Sequence, residues 1–364
     1  MVRIAIDAMS GDKPETPHLM VEGAVNALIH DSSISVTLVG NTDVLLPMIS
    51  SLEHLLGPAN VNGRLNTEHT NYIFPMHGNP TSRAELKDTS MDRAIQLVRE
   101  DAADIAISPG NSGAFVTAAS LAYKRIAKGM HPIFVVKFPR VGNDNATYYA
   151  DAGAAQRFDE RYLLHTTCML DTLLKRQGVV TPKIGILNNG TEENKGPEYI
   201  QNAHSLLRRF GEELDIRYEG FVEPRDVLHL GKNMPDGVII DGFAGNIGLK
   251  FCEAAYHAIE QVMKEEVENV LVRNSEKSQK VMERIIGQVL RNVHGRLSPD
   301  RMSGGYVIGL TKPVIAMHGE VKSPYTVESS IYLAKEASQL VDMNQGLQRR
   351  IEYVDSLLSN EEKR

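Results

Sequence analysis

Short apolar runs rich in β-branched residues alternate along the chain with longer segments of helical period. The predicted strands cover residues 3–7, 35–39, 104–108, 133–136, 183–187, 237–241 and 313–317. The predicted helices cover residues 17–29, 90–101, 114–126, 199–210 and 247–266. Strands that alternate with helices are typical of βαβ units. The pattern therefore predicts an α/β protein with three α/β/α layers and a mainly parallel sheet.

A protruding helical hairpin is predicted for residues 247–293. Two amphipathic stretches there are joined by the polar segment 273–280, which would form its tip. The hairpin would belong to a single domain, residues 1–340, with two lobes and a cleft between them. Residues 341–364 are predicted to form a C-terminal helix and a frayed tail.

Composition and charge exclude several classes of protein. The chain has 364 residues, a net charge of −7 and only two cysteines. It lacks the basic field that would hold nucleic acid, so an acidic partner would need a local basic patch. Cys168 and Cys252 cannot form a disulfide framework, which indicates a reducing, cytoplasmic setting. The N-terminal apolar run has only the length of a strand, and Pro109 interrupts the longest uncharged stretch, so we predict no signal peptide and no membrane span.

Two turns share the sequence Gly-Asn-x-Gly. One leads into a predicted helix at Ala114 and the other into a helix at Leu249, each directly after a predicted strand. Such a turn leaves unpaired N–H groups at a helix start, where the helix dipole favours an anion. Tight packing explains one turn equally well, but the repetition favours two anion-binding cups that face the cleft. The cups contain Gly110, Asn111, Ser112, Gly113, Gly245 and Asn246, and each asparagine would add an amide donor.

Lys195 lies in a glycine-punctuated loop after the strand 183–187. A lysine there is poorly placed to stabilise a helix and well placed as a point charge on phosphate. From this segment alone, a solvated surface lysine is the favoured interpretation. Glu192 and Glu193 precede it and fit helix-start acids equally well.

Polar residues also follow the first and last predicted strands. Asp7, Ser10, Gly11 and Asp12 leave the first strand, and His318 ends the last one. Open α/β sheets bind ligands at the carboxyl ends of their strands. An ordinary capped turn explains the first segment equally well, and a structural histidine is the favoured interpretation of His318.

Several familiar site sequences do not occur. The chain has no strand followed by G-x-G-x-x-G, no Walker lysine and no G-x-S-x-G elbow, and its histidines lack metal-ligand spacing. Acyl transfer to phosphate needs none of these, because phosphate is itself an anionic nucleophile. Such an enzyme must hold phosphate beside a thioester carbonyl and stabilise the developing oxyanion. The residues alone predict an anion-binding α/β transferase.

A series of short motifs runs in order through almost the whole chain. The motifs occupy residues 4–12, 87–91, 108–113, 151–153, 185–196, 222–226, 241–250, 304–305 and 318–319. In this set and order they resemble the phosphate acyltransferases of bacterial phospholipid synthesis, the PlsX family. That family converts acyl-acyl carrier protein and inorganic phosphate into acyl phosphate.

The resemblance implies a Rossmann-like α/β/α fold, a homodimer, and no metal or organic cofactor. It also implies peripheral contact between the hairpin and the anionic cytoplasmic membrane. By motif, it implies that Lys195 and Asn246 are catalytic. The turns and motifs together indicate substrate binding by Asp7, Ser10, Gly11, Asp12, Gly110, Asn111, Ser112, Gly113, Glu192, Glu193, Asp241, Gly245 and His318.

The chain departs from the family pattern at several positions. The departures are Ser10 for glycine, Pro109 for alanine, Ala155 for asparagine, Thr191 for glutamate, Pro224 for glycine, and the segment 320–322 after the histidine. They leave the cups and Lys195 intact, so they bear on substrate choice more than on reaction class. A phosphotransacylase that uses coenzyme A thioesters and a non-catalytic paralogue that binds a carrier protein or a membrane are the alternatives.

Overall fold

A computed structural model describes residues 1–52, 63–78, 82–140, 146–155, 158–227, 234–272, 284–289, 292–293 and 304–361. The first half of the fold alternates strands and helices. Its elements are β1 (Val2–Asp7), α1 (Thr16–His30), β2 (Ile34–Gly40), α2 (Thr42–Ser51), β3 (Leu65–His69), α3 (Arg83–Leu86), α4 (Ser90–Arg99), β4 (Ile105–Ser108) and α5 (Ser112–Ala122).

The second half begins with two strands and continues in the same alternating manner. Its elements are β5 (Ile133–Pro139), β6 (Ala146–Ala150), α6 (Glu160–Arg176), β7 (Lys183–Leu187), α7 (Glu198–Phe210), β8 (Arg217–Val222), α8 (Pro224–Val227), β9 (Gly237–Ile239) and α9 (Gly242–Val272). The chain then returns to the first half. The returning elements are β10 (Gly304–Ile308), β11 (Val314–Met317), α10 (Pro324–Ser338), a 3₁₀ helix (Gln339–Met343) and α11 (Asn344–Glu361).

All these strands form one eleven-stranded sheet in the order β3-β2-β1-β4-β11-β10-β5-β6-β9-β7-β8. Seven neighbouring pairs are parallel and three are antiparallel, which confirms a mainly parallel sheet. The antiparallel pairs are consecutive: β11 with β10, β10 with β5, and β5 with β6. Three successive reversals make β6, β9, β7 and β8 run opposite to β1, β2, β4 and β11.

The strands are apolar because helices cover the sheet on both faces. In β1, Ile4 and Ile6 belong to one buried cluster and Ala5 belongs to the other. Successive side chains of a strand point to opposite faces, so these clusters are the two core layers of an α/β/α fold. Fully burying one isoleucine contributes about 1.5–3 kcal/mol. Because the middle of each strand is apolar, the polar residues of the sequence motifs lie at the ends of the strands.

The structure contains every predicted strand and helix, with one large correction at a boundary. The helix predicted for residues 247–266 begins at Gly242, so the second glycine-rich turn lies inside α9. Much of the predicted hairpin, including its tip at 273–280, lies outside the described residues. Within the described ranges, none of the helices combines the length and apolar character that a membrane crossing requires.

Candidate active site

The sheet topology sorts the predicted site residues into two groups. The cup cluster lies at the carboxyl ends of β1, β4 and β11 and consists of Asp7, Ser10, Gly11, Asp12, Gly110, Asn111, Ser112, Gly113 and His318. The lysine cluster lies at the carboxyl ends of β7 and β9 and consists of Glu192, Glu193, Lys195, Asp241, Gly245 and Asn246. Because the two sets of strands run in opposite directions, these ends belong to opposite edges of the sheet. Helix α9 nevertheless joins the two groups, because it begins in the lysine cluster and its Glu253 lies 3.4 Å from His318 of the cup cluster. That both glycine-rich turns face one cleft stays a prediction.

A buried carboxylate organises the cup cluster. Asp7 is fully buried, and its Oδ2 accepts a hydrogen bond of 2.6 Å from the Ser108 hydroxyl. Its Oδ1 accepts from the N–H groups of Met9 and Ser10, each at 3.2 Å. The Ser108 hydroxyl in turn accepts from the N–H of Gly110 at 3.0 Å. This network joins β1 to the turn that leads into α5, so Asp7 acts here as a positioning residue.

Asn111 holds the start of α5 and the loop above it. Its Oδ1 accepts from the N–H of Ala114 at 2.9 Å, which makes it the N-cap of the helix. Its amide nitrogen donates to the carbonyls of Met76 and Gly78, at 2.7 and 2.9 Å. The expectation that this amide is free to bind an anion is therefore wrong. What the turn offers instead is the N–H groups of its next two residues.

Ser112 and Gly113 are the first two residues of α5, and both are exposed. Their N–H groups make no hydrogen bond with the residues that the structure describes, because the cap satisfies Ala114 and the Asn111 carbonyl satisfies Phe115. Unpaired N–H groups at the first turn carry the positive end of the helix dipole. The cup can therefore accept an anion from solvent.

Ser10 lies beside this cup, where the family pattern has glycine. Its hydroxyl is buried and has no hydrogen-bond partner within the described ranges. A Cβ built on Gly110 would lie 3.1 Å from the Cβ of Ser10, so the two turns touch. Gly11 has a φ of +131°, a conformation that favours glycine, and Asp12 next to it is exposed. The first segment is thus a tight turn that packs against the cup.

His318 links the cup cluster to α9. Its Nδ1 accepts from the N–H of Glu320 at 3.2 Å, and its Nε2 lies 3.4 Å from the carboxylate of Glu253. Burial opposes ionisation of Glu253, but hydrogen bonds from His318 and Lys250 outweigh it and lower the pKa of this carboxyl. Glu253 did not stand out in the sequence, because nothing there shows that the middle of α9 reaches the end of β11.

The loop of the lysine cluster is fixed by Asn188, which follows β7. The Asn188 amide donates to the carbonyl of Lys195 at 3.0 Å, and its own N–H donates to Val222 of β8 at 2.8 Å. Lys195 is exposed and makes no ion pair with the residues that the structure describes. Glu192 is also exposed, and Glu193 lies 3.5 Å from Arg208. The ammonium of Lys195 is therefore available to a ligand.

Asp241 sets the start of α9. Its Oδ1 accepts from the N–H of Ala244 at 2.8 Å, and its carbonyl accepts from Gly245 at 2.8 Å. Its Oδ2 accepts from the hydroxyl of Tyr199 at 2.7 Å, which ties the first turn of α7 to the first turn of α9. The cap explains why the helix begins before the glycine-rich turn and not after it. Gly245 and Asn246 are therefore helical residues, not turn residues.

A second buried carboxylate, Asp151, supports the first turn of α9. It accepts hydrogen bonds from the N–H groups of residues 153–155 and Phe134, and from the Tyr162 hydroxyl at 2.6 Å. Burial raises its pKa, although these donors favour the ionised form. A Cβ on Gly245 would lie 1.8 Å from the Asp151 carbonyl oxygen, so only glycine fits there. Asp151 was not a predicted site residue, because the sequence did not reveal β6.

Asn246 is the exposed polar residue of this helix start. It packs over Gly153, where a built Cβ would lie 3.1 Å from the Asn246 Cβ. Its amide makes no hydrogen bond with the described part of the chain. Asn246 therefore offers the free amide donor that Asn111 does not.

The two cysteines are poor candidates for a nucleophile. Burial raises the pKa of Cys168 to about 11 and also raises the pKa of Cys252. A thiol reacts as its thiolate, which is scarce at neutral pH under these conditions. Within the described ranges, no group of three or more His, Cys, Asp or Glu side chains could hold a metal ion.

Solved structures with this fold include a phosphotransacetylase and a branched-chain phosphotransacylase. The EutD phosphotransacetylase from Staphylococcus aureus superposes with a TM-score of 0.55 at 14% identity, over 93% of this chain and 94% of that one. A branched-chain phosphotransacylase from Enterococcus faecalis V583 superposes with a TM-score of 0.52 at 12% identity, over 93% and 99%. At these identities the likeness shows a shared α/β/α fold alone.

Sequence relatives define the family. The phosphate acyltransferase of Pseudoalteromonas atlantica is 31% identical over 339 residues, 92% of each chain. The phosphate acyltransferase of Aliarcobacter butzleri is 31% identical over 358 residues, 98% of this chain and all of that one. Residues 2–344 also match the family described as fatty acid synthesis protein. The chain belongs to this family, and it is an acyltransferase.

Proposed function

We propose that this acyltransferase moves a fatty acyl group from an acyl-acyl carrier protein to inorganic phosphate and forms an acyl phosphate for phospholipid synthesis. The family relationship supports the reaction class. The observation that carries the proposal is the exposed start of α5, where the N–H groups of Ser112 and Gly113 lack partners. An N–H cup of this kind suits a small, highly charged anion such as phosphate.

In the proposed reaction a phosphate oxygen attacks the thioester carbonyl. A tetrahedral oxyanion forms, and its collapse breaks the carbon–sulfur bond and releases the carrier thiolate. Phosphate supplies the nucleophile, so no side chain has to form a covalent intermediate. The raised pKa values of Cys168 and Cys252 agree with this direct route.

Each side chain then has a defined task. The first turn of α5 binds phosphate, and the ammonium of Lys195 balances part of its charge through a charge-assisted hydrogen bond. The free amide of Asn246 donates to the oxyanion that develops on the carbonyl. The proposal requires neither a metal nor an organic cofactor, so activity should survive dialysis against a chelator.

The acyl donor is tested by a direct comparison. Purified protein is given palmitoyl-acyl carrier protein or palmitoyl-coenzyme A, with and without phosphate, and both free thiol and acyl phosphate are measured. We expect phosphate-dependent thiol release with the carrier-protein donor. A higher kcat/KM with coenzyme A would instead assign a phosphotransacylase. Thiol release without any acyl phosphate would reject the proposed reaction itself.

We also propose a cytoplasmic enzyme that contacts an anionic membrane through the predicted hairpin at 247–293. Arg273, Lys277 and Lys280 in its predicted tip would favour anionic headgroups, while the apolar contribution is small. Binding to phosphatidylglycerol vesicles in a flotation assay should be weak and should decrease as salt is added. Tight binding that added salt leaves unchanged would contradict this assignment.

A further inference from the structure

Helix α9 links the two clusters of the proposed active site. It begins at Gly242 in the lysine cluster, and its Glu253 lies 3.4 Å from His318 of the cup cluster. Asn246 and Glu253 are about two helical turns apart, which corresponds to about 10 Å along the helix axis. The position of α9 therefore sets the distance between the free amide of Asn246 and the cup.

The start of α9 is fixed to its own half of the sheet. The Asp241 carboxylate caps the helix, and Gly245 packs closely against the Asp151 carbonyl. Leu249 is the last buried residue of α9 among those whose side chains the structure describes. The part of the helix that reaches the cup cluster thus lies outside the apolar core, where polar side chains make its contacts.

Two polar contacts, one helical turn apart, join α9 to the segment after β11. Glu253 contacts His318, and the Nζ of Lys322 lies 3.3 Å from the Nε2 of His257. Glu253 and His257 are four residues apart, so they lie on the same face of the helix. These two contacts form the α9 bridge.

The segment that carries the bridge, residues 318–322, is itself attached to the turn after β1. The N–H of Asp12 donates to the Gly319 carbonyl at 3.0 Å, and Lys13 pairs with Glu320 at 3.0 Å. Residues 320–322 are also a departure from the family pattern. Because the turn after β1 packs against the cup, the bridge connects α9 to the phosphate-binding half of the site.

The hydrogen bonds of His318 engage both of its ring nitrogens. Its Nδ1 accepts from the N–H of Glu320 at 3.2 Å, so the proton of the neutral ring lies on Nε2, which faces Glu253. Burial opposes ionisation of Glu253, but hydrogen bonds from His318 and Lys250 lower the pKa of this carboxyl. The neutral ring of His318 therefore has no free nitrogen that could take a proton from a substrate.

We propose that Glu253 and His318 are positioning residues, and that the α9 bridge holds Asn246 where its amide can donate to the oxyanion formed by phosphate attack. The inference rests on the proposed function. Without the bridge, both clusters stay intact but their spacing changes. A displacement of about 1 Å in such an arrangement can lower the rate by about 100-fold. Loss of the bridge should therefore reduce kcat and leave the binding of both substrates unchanged.

Variants of Glu253 test this role. Glu253→Gln keeps an oxygen that accepts from His318, whereas Glu253→Ala removes it. We expect Glu253→Ala to lower kcat by about 10–100-fold with both KM values within about twofold, and Glu253→Gln to keep at least about half of the activity. Glu265→Ala is the matched control, because the hydrogen bond of 2.7 Å from Gln261 to Glu265 stays within α9. The control should keep the wild-type kcat, and all three variants should keep the wild-type Tm.

A double-mutant cycle shows whether Glu253 acts through Asn246. Once Asn246→Ala has removed the amide, a shift of α9 has no donor left to misplace. Adding Glu253→Ala to that variant should then lower kcat by less than about threefold. His318→Ala should reproduce the kinetics of Glu253→Ala, and the two changes together should be no more harmful than either alone.

Four outcomes would overturn the inference. They are a wild-type kcat in Glu253→Ala, a Glu253→Gln variant as impaired as Glu253→Ala, losses that multiply when Glu253→Ala and Asn246→Ala are combined, and a rise in a substrate KM at unchanged kcat. The last would make Glu253 a direct binding residue. All four leave the proposed reaction standing as long as the wild type forms acyl phosphate. A wild type that releases thiol without forming acyl phosphate rejects the reaction itself.

Discussion

Gly113→Asp tests whether the start of α5 binds phosphate. Gly113 is exposed, and a Cβ built on it would meet only the Asn111 Oδ1, at an ordinary contact distance of 3.4 Å. The backbone therefore accepts a side chain without strain. An aspartate in the first turn of a helix stabilises it by about 0.3–1 kcal/mol. The variant should fold at least as well as the wild type.

The same carboxylate should repel the ligand. At about 4 Å, two unit charges interact with about 1 kcal/mol in bulk water and about 4 kcal/mol near a protein surface. These energies correspond to a rise in the phosphate KM between about 5-fold and about 1000-fold. The repulsion is electrostatic and partly exposed to solvent, so added salt should reduce it.

The assay is the initial rate of thiol release at varied phosphate, with Gly113→Asn as a control of the same shape without the charge. We expect a large rise in phosphate KM for the aspartate variant, a small rise for the asparagine variant, and an unchanged donor KM for both. Equal phosphate KM values in the two variants, at unchanged Tm, would refute phosphate binding at the start of α5.

Three further predictions follow from the contacts of single residues. Lys195→Met should raise the phosphate KM by a factor of about 10–150 and leave the donor KM unchanged, because a charge-assisted hydrogen bond contributes about 1.5–3 kcal/mol. A rise in the donor KM alone, stronger at low salt, would instead place Lys195 against the acidic carrier protein. Asn246→Ala should lower kcat/KM by about 10²–10³ without changing the Tm. Asn111→Ala should instead lower the Tm, because it removes a helix cap that contributes about 1 kcal/mol. The reverse pattern would contradict the roles given to these two amides. Burial lowers the pKa of His204 below its unfolded value, so the folded state binds fewer protons and the Tm should fall as pH decreases below about 6.5. His204→Phe should reduce this fall, and an identical pH dependence of the Tm in wild type and variant would contradict it.

The sequence predicted seven of the eleven strands and did not predict β3, β6, β8 and β10. Among the missed strands, β6 and β10 are the two whose antiparallel pairing reverses the direction of the second half. Pairing direction depends on which strands become neighbours, and no local pattern encodes that. The position of Lys195 relative to Asn111 could therefore not be derived from spacing.

Helix α6 was missed for a different reason. Its sequence has a helical period, but α6 is buried along most of its length, so its polar residues do not mark an exposed face. Its polar residues are buried as well: Thr166, Thr167 and Thr172 donate their hydroxyl hydrogens to carbonyls four residues earlier in the same helix. Hydroxyl groups that are satisfied within the helix can be buried, and the sequence alone does not distinguish them from surface positions.

The start of α9 shows that glycines in a sequence do not by themselves locate a turn. Glycines at 245 and 248 indicate a turn when they are read alone, yet Asp241 caps the helix earlier. Gly245 is required by close packing against the Asp151 carbonyl, which is a tertiary contact. The motif predicts site residues in this segment, while their helical geometry needed the structure.

The central claim is that phosphate itself attacks the acyl thioester. Its most direct test supplies ¹⁸O-labelled phosphate with palmitoyl-acyl carrier protein and measures the mass of the product. We predict palmitoyl phosphate that retains every labelled oxygen, formed at the same rate as free carrier thiol. Unlabelled palmitate formed at the rate of thiol release, with labelled phosphate left unchanged, would show that water is the nucleophile and would contradict the claim.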